Sequence, residues 1–131
     1  MGAIEQMELY PSITEADKKA VRKLLGNYPK MRLTVESLGR KESLTAEERQ
    51  VYQEWSKLIT ELDMAINLIL DDEVKKIIEH RFIKGRKYKF TVIQFQNRGM
   101  SVNTIDRRID EGVKSIAETL KLCGILGVSW G

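Results

Sequence analysis

Apolar side chains recur at helical spacing along most of this chain, and the clearest run is the last. Ile105, Ile109, Val113, Ile116 and Leu120 are separated by four, four, three and four residues, which draws one stripe along a helix. A turn precedes it. Gly99 is the residue type that leaves a helix with positive φ at no steric cost, and Met100 follows as an apolar plug. Ser101 is a good N-cap, its hydroxyl able to accept from the backbone N–H of Asn103 or Thr104. A shorter helix from Phe90 leads into that turn. The spacing from Gly99 to Ile105 lets a second helix pack across a first at a steep angle. That is the helix-turn-helix arrangement, in which the second helix enters the DNA major groove.

Upstream, the pattern predicts a pair of long helices. Residues 1–13 show no sustained period and read as a loose arm. Thr14 with Asp17 three residues on resembles a capping box. From there Val21, Leu24, Tyr28, Met31, Val35 and Leu38 keep a heptad seam up to Gly39, which closes the helix. The seam crosses Gly26-Asn27-Tyr28-Pro29, so a kink or a one-turn break is expected there. Thr45-Ala46-Glu47-Glu48 is a capping box for a second helix running to about Leu70. Its stripe of Val51, Trp55, Leu58, Leu62, Ala65 and Ile69 lies beside another of Tyr52, Ile59 and Ile66. So wide a face predicts contact with the first helix on one side and the C-terminal module on the other. The short 40–44 connection makes the two helices antiparallel neighbours, and Trp55 reads as a packing anchor. Asp71 or Asp72 then caps a helix over 73–82 with Val74, Ile77, Ile78 and Phe82 on one face. Residues 83–90 form a basic connector. After Leu122 comes an apolar, Gly-punctuated tail that either folds back onto the core or docks on a partner.

These elements predict an all-α chain in which an N-terminal antiparallel helical hairpin packs on a C-terminal helix-turn-helix. Residues 1–71 hold the arm and hairpin, for self-association or partner contact, and residues 72–131 hold the DNA-binding module and tail. Two prolines and 7% aromatic residues in 131 suit that class. The single cysteine, Cys123, cannot form an internal disulfide, which favours a cytoplasmic protein with Cys123 as a small buried hydrophobe. No basic-then-apolar leader opens the chain, and no apolar run approaches the ~18 residues that span a bilayer, so no membrane partner is expected.

Catalysis is not expected either. One His and one Cys stand far apart, no Cys/His set has zinc spacing, and no Gly-rich loop precedes a helix, so neither metal nor cofactor is called for. His80 reads as a surface or packing residue.

Charge sharpens the binding reading. The formal net charge is only +3, but residues 72–131 carry +5 and residues 1–71 carry −2. Within 81–108, Arg81, Lys84, Arg86, Lys87, Lys89, Arg98, Arg107 and Arg108 face one acid, Asp106. Such a block around a helix-turn-helix is the footprint expected for a phosphate backbone, although a solvated basic loop is the bland alternative. With the stripe turned inward, Val102, Asn103, Asp106, Arg107 and Asp110 must point outward. Asn pairs with adenine, Arg with guanine, and Val102 can meet a thymine methyl. Asp106 would accept from cytosine or orient Arg107. Lys84, Arg86, Lys87, Lys89, Arg98 and the helix start at Ser101 are candidates for phosphate. Three positions depart from the usual pattern. Phe95 is bulky where a small residue brings the helices together, Arg98 stands where an apolar residue ends the first helix, and Arg108 occupies a commonly apolar site. A shifted or tilted first helix follows, with Arg108 reaching for the backbone.

The sequence Glu73-Val74-Lys75-Lys76-Ile77-Ile78-Glu79-His80-Arg81-Phe82 leads to a basic connector. Gly99-Met100-Ser101, Thr104-Ile105-Asp106-Arg107-Arg108 and Ile116-Ala117 follow. Together they resemble region 4 of bacterial sigma factors. With a helical front and Asn27-Tyr28-Pro29, the chain is similar to ArpU/RinA-type transcriptional regulators of phages and prophages of Gram-positive bacteria. That resemblance covers residues 73–122, and the front half in architecture only. It implies a sequence-specific activator of late or packaging genes, acting on double-stranded DNA with host RNA polymerase as a further partner, and it carries DNA contact onto Ser101, Asn103, Thr104, Arg107 and Arg108. Homo-oligomers are common among such modules. Two rivals remain: an adaptor that grips RNA polymerase or a sigma factor without reading DNA, and a phage DNA-packaging small subunit.

Overall fold

The computed structural model describes residues 10–127. Its five helices are α1 (Glu15–Gly39), α2 (Ala46–Asn67), α3 (Asp72–Ile78, prolonged by a π-helical turn, Glu79–Ile83), α4 (Tyr88–Gln96) and α5 (Val102–Leu122), with no strand among the described residues. The all-α expectation holds, and α1 and α2 pack on each other as a hairpin.

Local chemistry explains most of the boundaries. Thr14 and Asp17 close a reciprocal capping box at the start of α1, as Thr45 and Glu48 do for α2. Each satisfies two backbone donors that a helix start leaves unpaired. Asp71, not Asp72, caps α3, accepting from the N–H groups of Glu73 and Val74. α1 ends at Gly39 as expected, but Pro29 does not break it. Val21, Leu25, Tyr28 and Met31 are buried on both sides of Pro29. That continuous burial offsets the roughly 3 kcal/mol by which an interior proline disfavours a helix.

Other expectations need correction. α2 ends at Asn67 rather than near Leu70, because the chain turns to bury Ile69 and leaves Leu70 97% exposed. α4 begins at Tyr88, which shortens the basic connector to 84–87. Cys123 is exposed, because α5 ends at Leu122 and the chain leaves through Gly124 at φ +82. The arm is not loose throughout: Pro11 is buried, Ile13 packs on the core, and the Ser12 carbonyl accepts from Lys121. Its residues 1–9 lie outside the described residues. Of the tail, Ile125 and Leu126 pack on the core, and 128–131 likewise lie outside the description.

One core runs through both halves. Leu25, Tyr28, Leu62 and Ala65 from the hairpin join Ile77, Ile105, Val113 and Ile116 in a single buried cluster. α2 touches α1, α3 and α5, as its wide apolar face predicts, and Trp55 is half-buried against that core. No helix among the described residues is long and apolar enough to cross a membrane. α5 is thus held along its length, from Ile105 in its first turn to Leu120 in its last.

Candidate nucleic-acid interface

The turn between α4 and α5 is built as its residue types dictate. Gly99 sits at φ +90, outside the range of an ordinary L side chain. The Met100 N–H donates to the Phe95 carbonyl at 3.1 Å and the Gly99 N–H to that of Gln96 at 2.9 Å. These two bonds close the end of α4 around its left-handed residue. Ser101 then caps α5, accepting from the Thr104 N–H at 3.2 Å while its hydroxyl donates to Thr104 Oγ1 at 2.9 Å. A cap of this kind is worth about 1 kcal/mol. Ile105, Ile109, Val113, Ile116 and Leu120 are all buried, so the stripe fixes which edge of α5 faces out.

Val102, Asn103, Asp106 and Arg107 lie on that exposed edge. The Arg107 side chain is 64% exposed, and among the described residues its one ion-pair contact is a long one to Glu111 at 3.9 Å. Asp106 does not orient Arg107; it accepts instead from the Tyr88 hydroxyl at the start of α4. Asp110 is not presented outward with them. It is turned onto α1, where Lys18 Nζ and Arg22 Nη2 reach its two oxygens at 3.0 and 2.9 Å. Those cations, Lys18 first, hold its carboxyl below the usual carboxylate range.

The connector, α4 and the turn after it supply five further cations. Lys84, Arg86, Lys87, Lys89 and Arg98 are exposed, and among the described residues none is ion-paired with a carboxylate. Lys87 occupies the N-cap of α4, where no side chain closes the helix start, so the positive helix end adds to the local charge. Lys89 Nζ lies 5.1 Å from the Phe90 ring centre, and the Arg98 guanidinium lies over the Phe95 ring at 5.2 Å. Arg108 is different. Its guanidinium lies 3.2 Å from Glu73 and from Glu111, with Asp71 at 3.9 Å. Asp71 and Glu73 draw it toward the start of α3, and Glu111 holds it from its own helix.

His80 is a packing residue. Its Nδ1 sits 2.9 Å from Thr91 Oγ1, and its ring meets the edge of Phe95 at 5.7 Å. Burial first, then Lys84, Arg86 and Arg98, push its pKa below the ordinary value. It therefore stays neutral where a free histidine begins to charge. Phe95, bulky as it is, is buried in this contact, which joins α3 to α4.

Sequence reasoning missed three links: Tyr88 to Asp106, Lys18 and Arg22 to Asp110, and His80 to Thr91. Each joins residues on different helices, and no local spacing signals such a pair. Among the described residues no cluster of His, Cys, Asp and Glu could hold a metal ion. Comparison with known family models, curated proteins and solved structures finds no match for this chain.

Proposed function

We propose that the protein is a sequence-specific DNA-binding transcription regulator, with α4, the Gly99 turn and α5 as its helix-turn-helix. The resemblance of residues 73–122 to sigma region 4 suggests phage or prophage genes of the late or packaging class as its targets. One observation carries the reading: Val102, Asn103 and Arg107 stand exposed on the first two turns of α5, and the preceding connector, α4 and turn present five exposed cations that, among the described residues, no carboxylate engages. A solvated face normally mixes its signs. This one concentrates positive charge around side chains able to read base edges.

Roles divide by reach. Asn103 and Arg107 are the bidentate readers, Val102 contacts a thymine methyl, and Asp106, held by Tyr88, accepts from cytosine. Lys84, Arg86, Lys87, Lys89, Arg98 and the Ser101–Thr104 helix start take phosphate, which gives affinity and its salt dependence. Arg108 contributes less to DNA contact, because three carboxylates already hold it.

The test is an affinity titration on a selected duplex at several salt concentrations. Arg107→Ala should lose about 1–3 kcal/mol of discrimination at one base pair and keep the wild-type salt slope. Lys87→Ala should weaken binding to all sequences and flatten the slope by about 1. If both variants bind as the wild type does, these site assignments fail. A wild type that binds RNA polymerase but no duplex would favour the adaptor instead.

A further inference from the structure

We infer that α1 forms a second phosphate-binding surface, gripping the DNA backbone beside the segment that α5 reads. The inference rests on the DNA-binding reading above and assigns part of that contact to the front half of the chain.

From residue 18 to residue 35 the chain carries Lys18, Lys19, Arg22, Lys23, Lys30 and Arg32 and not one Asp or Glu. The −2 charge of residues 1–71 conceals this run, because the acids of the arm and of α2 balance it. At 100° per residue, positions 19, 22, 23, 26 and 30 fall within about 100° of arc on one side of the helix. All five are exposed. Among the described residues Lys19, Lys23 and Lys30 have no carboxylate partner, whereas Lys18 and Arg22 are taken by Asp110. The exposed face of α2 looks quite different, with Glu47, Arg49, Glu54, Lys57 and other charges of both signs intermixed. That is how a merely solvated helix reads.

Two contacts bring the stripe to the DNA-facing side. Asp110 clamps Lys18 and Arg22 against α5. Further along, Pro29 packs so close to the basic connector that a Cβ on Gly85 would stand 3.2 Å from its Cγ. Between these clamps lies a groove of about 350 Å³, with Arg22 and Gly26 on one wall and Arg81, Tyr88 and Asp106 on the other. Nothing lies within 4 Å of where a Gly26 Cβ would be, so the groove is open at Gly26. Arg22 of the α1 stripe, Tyr88 between Lys87 and Lys89, and Asp106 of α5 thus line one groove. Cations on both α1 and the segment around Tyr88 match the two phosphate strands that border a groove.

The experiment measures duplex affinity against salt for three chains. They are the wild type, Lys19→Gln/Lys23→Gln/Lys30→Gln, and a charge-matched control, Arg40→Gln/Arg49→Gln/Lys57→Gln. Each phosphate contact contributes about 0.9 to the slope of log K against log salt. The α1 variant should lose about 2–3 from that slope and bind roughly 10- to 100-fold more weakly at low salt, with its base preference and melting temperature unchanged. The control should keep the wild-type slope. Equal slopes for the two variants would overturn the role of α1 and leave the helix-turn-helix reading standing. A wild type that binds no duplex would overturn the DNA-binding reading itself. Removal of three exposed charges should leave the fold intact, which a thermal melt checks.

Discussion

Asp17→Ala is expected to lower the unfolding free energy by about 3–5 kcal/mol, the range for removing one partner of a buried ion pair. Lys121 is 1% exposed, and its ammonium donates to Asp17 Oδ2 at 2.6 Å and to the Ser12 carbonyl at 2.9 Å. Without the carboxylate, a buried positive charge keeps only a carbonyl. The substitution also opens the capping box of α1, since Asp17 Oδ2 accepts from the Thr14 N–H at 2.9 Å. Adding Lys121→Met should recover much of the loss, because a paired apolar replacement leaves no charge stranded. The Lys121 hydrogen bond, then the Thr14 N–H, hold the Asp17 pKa below its usual value. A lowered carboxylate pKa stabilises the fold fully above the unfolded value near 4, and that share is lost as pH falls through the folded value. The gap between wild type and Asp17→Ala should therefore narrow in acid below about pH 4. Urea unfolding at neutral and acid pH measures both effects. A cost under about 1 kcal/mol at pH 7 would mean the pair is no anchor.

Gly112→Ala should also be costly, although alanine is the better helix former by about 1 kcal/mol. A Cβ there would stand 2.4 Å from Ile78 Cγ1, 2.6 Å from its Cδ1 and 3.1 Å from Val74 Cγ1. Ile78 is fully buried and β-branched, so it has little room to withdraw. α3 and α5 must separate, and a net loss of about 2 kcal/mol follows from overpacking. Ile78→Ala alone should cost about 2–5 kcal/mol through its cavity. In the Gly112→Ala background it should cost less, because the new methyl occupies part of the vacated space. Strict additivity of the two in urea unfolding would contradict the close approach.

What could be read from the sequence, and what could not, follows from the range of each interaction. The α5 stripe, the Gly99 turn and the Ser101, Thr14 and Thr45 caps are set by neighbours within a few residues, so period and residue type suffice. Pro29 misled because a strong local signal met a stronger tertiary one: burial of Tyr28 and Met31 holds the helix together. Asp110 looked like part of the exposed edge because helical spacing alone cannot reveal α1 lying beside it. The burial of Lys121 was not legible for the same reason, its partner Asp17 lying 104 residues away. The end of α2 and the exposure of Cys123 depend on where the chain turns, which apolar spacing does not specify. The cationic run of α1 was visible as composition. Only its placement beside α5 gives it a role.

The most direct measurement is an amide shift map of the isotope-labelled chain titrated with a selected duplex. Shifts should concentrate on 101–107, with 84–89 beside them, and leave 51–64 of α2 undisturbed. Shifts confined to α2, or none at any duplex concentration, would contradict the claim that the first turns of α5 meet DNA.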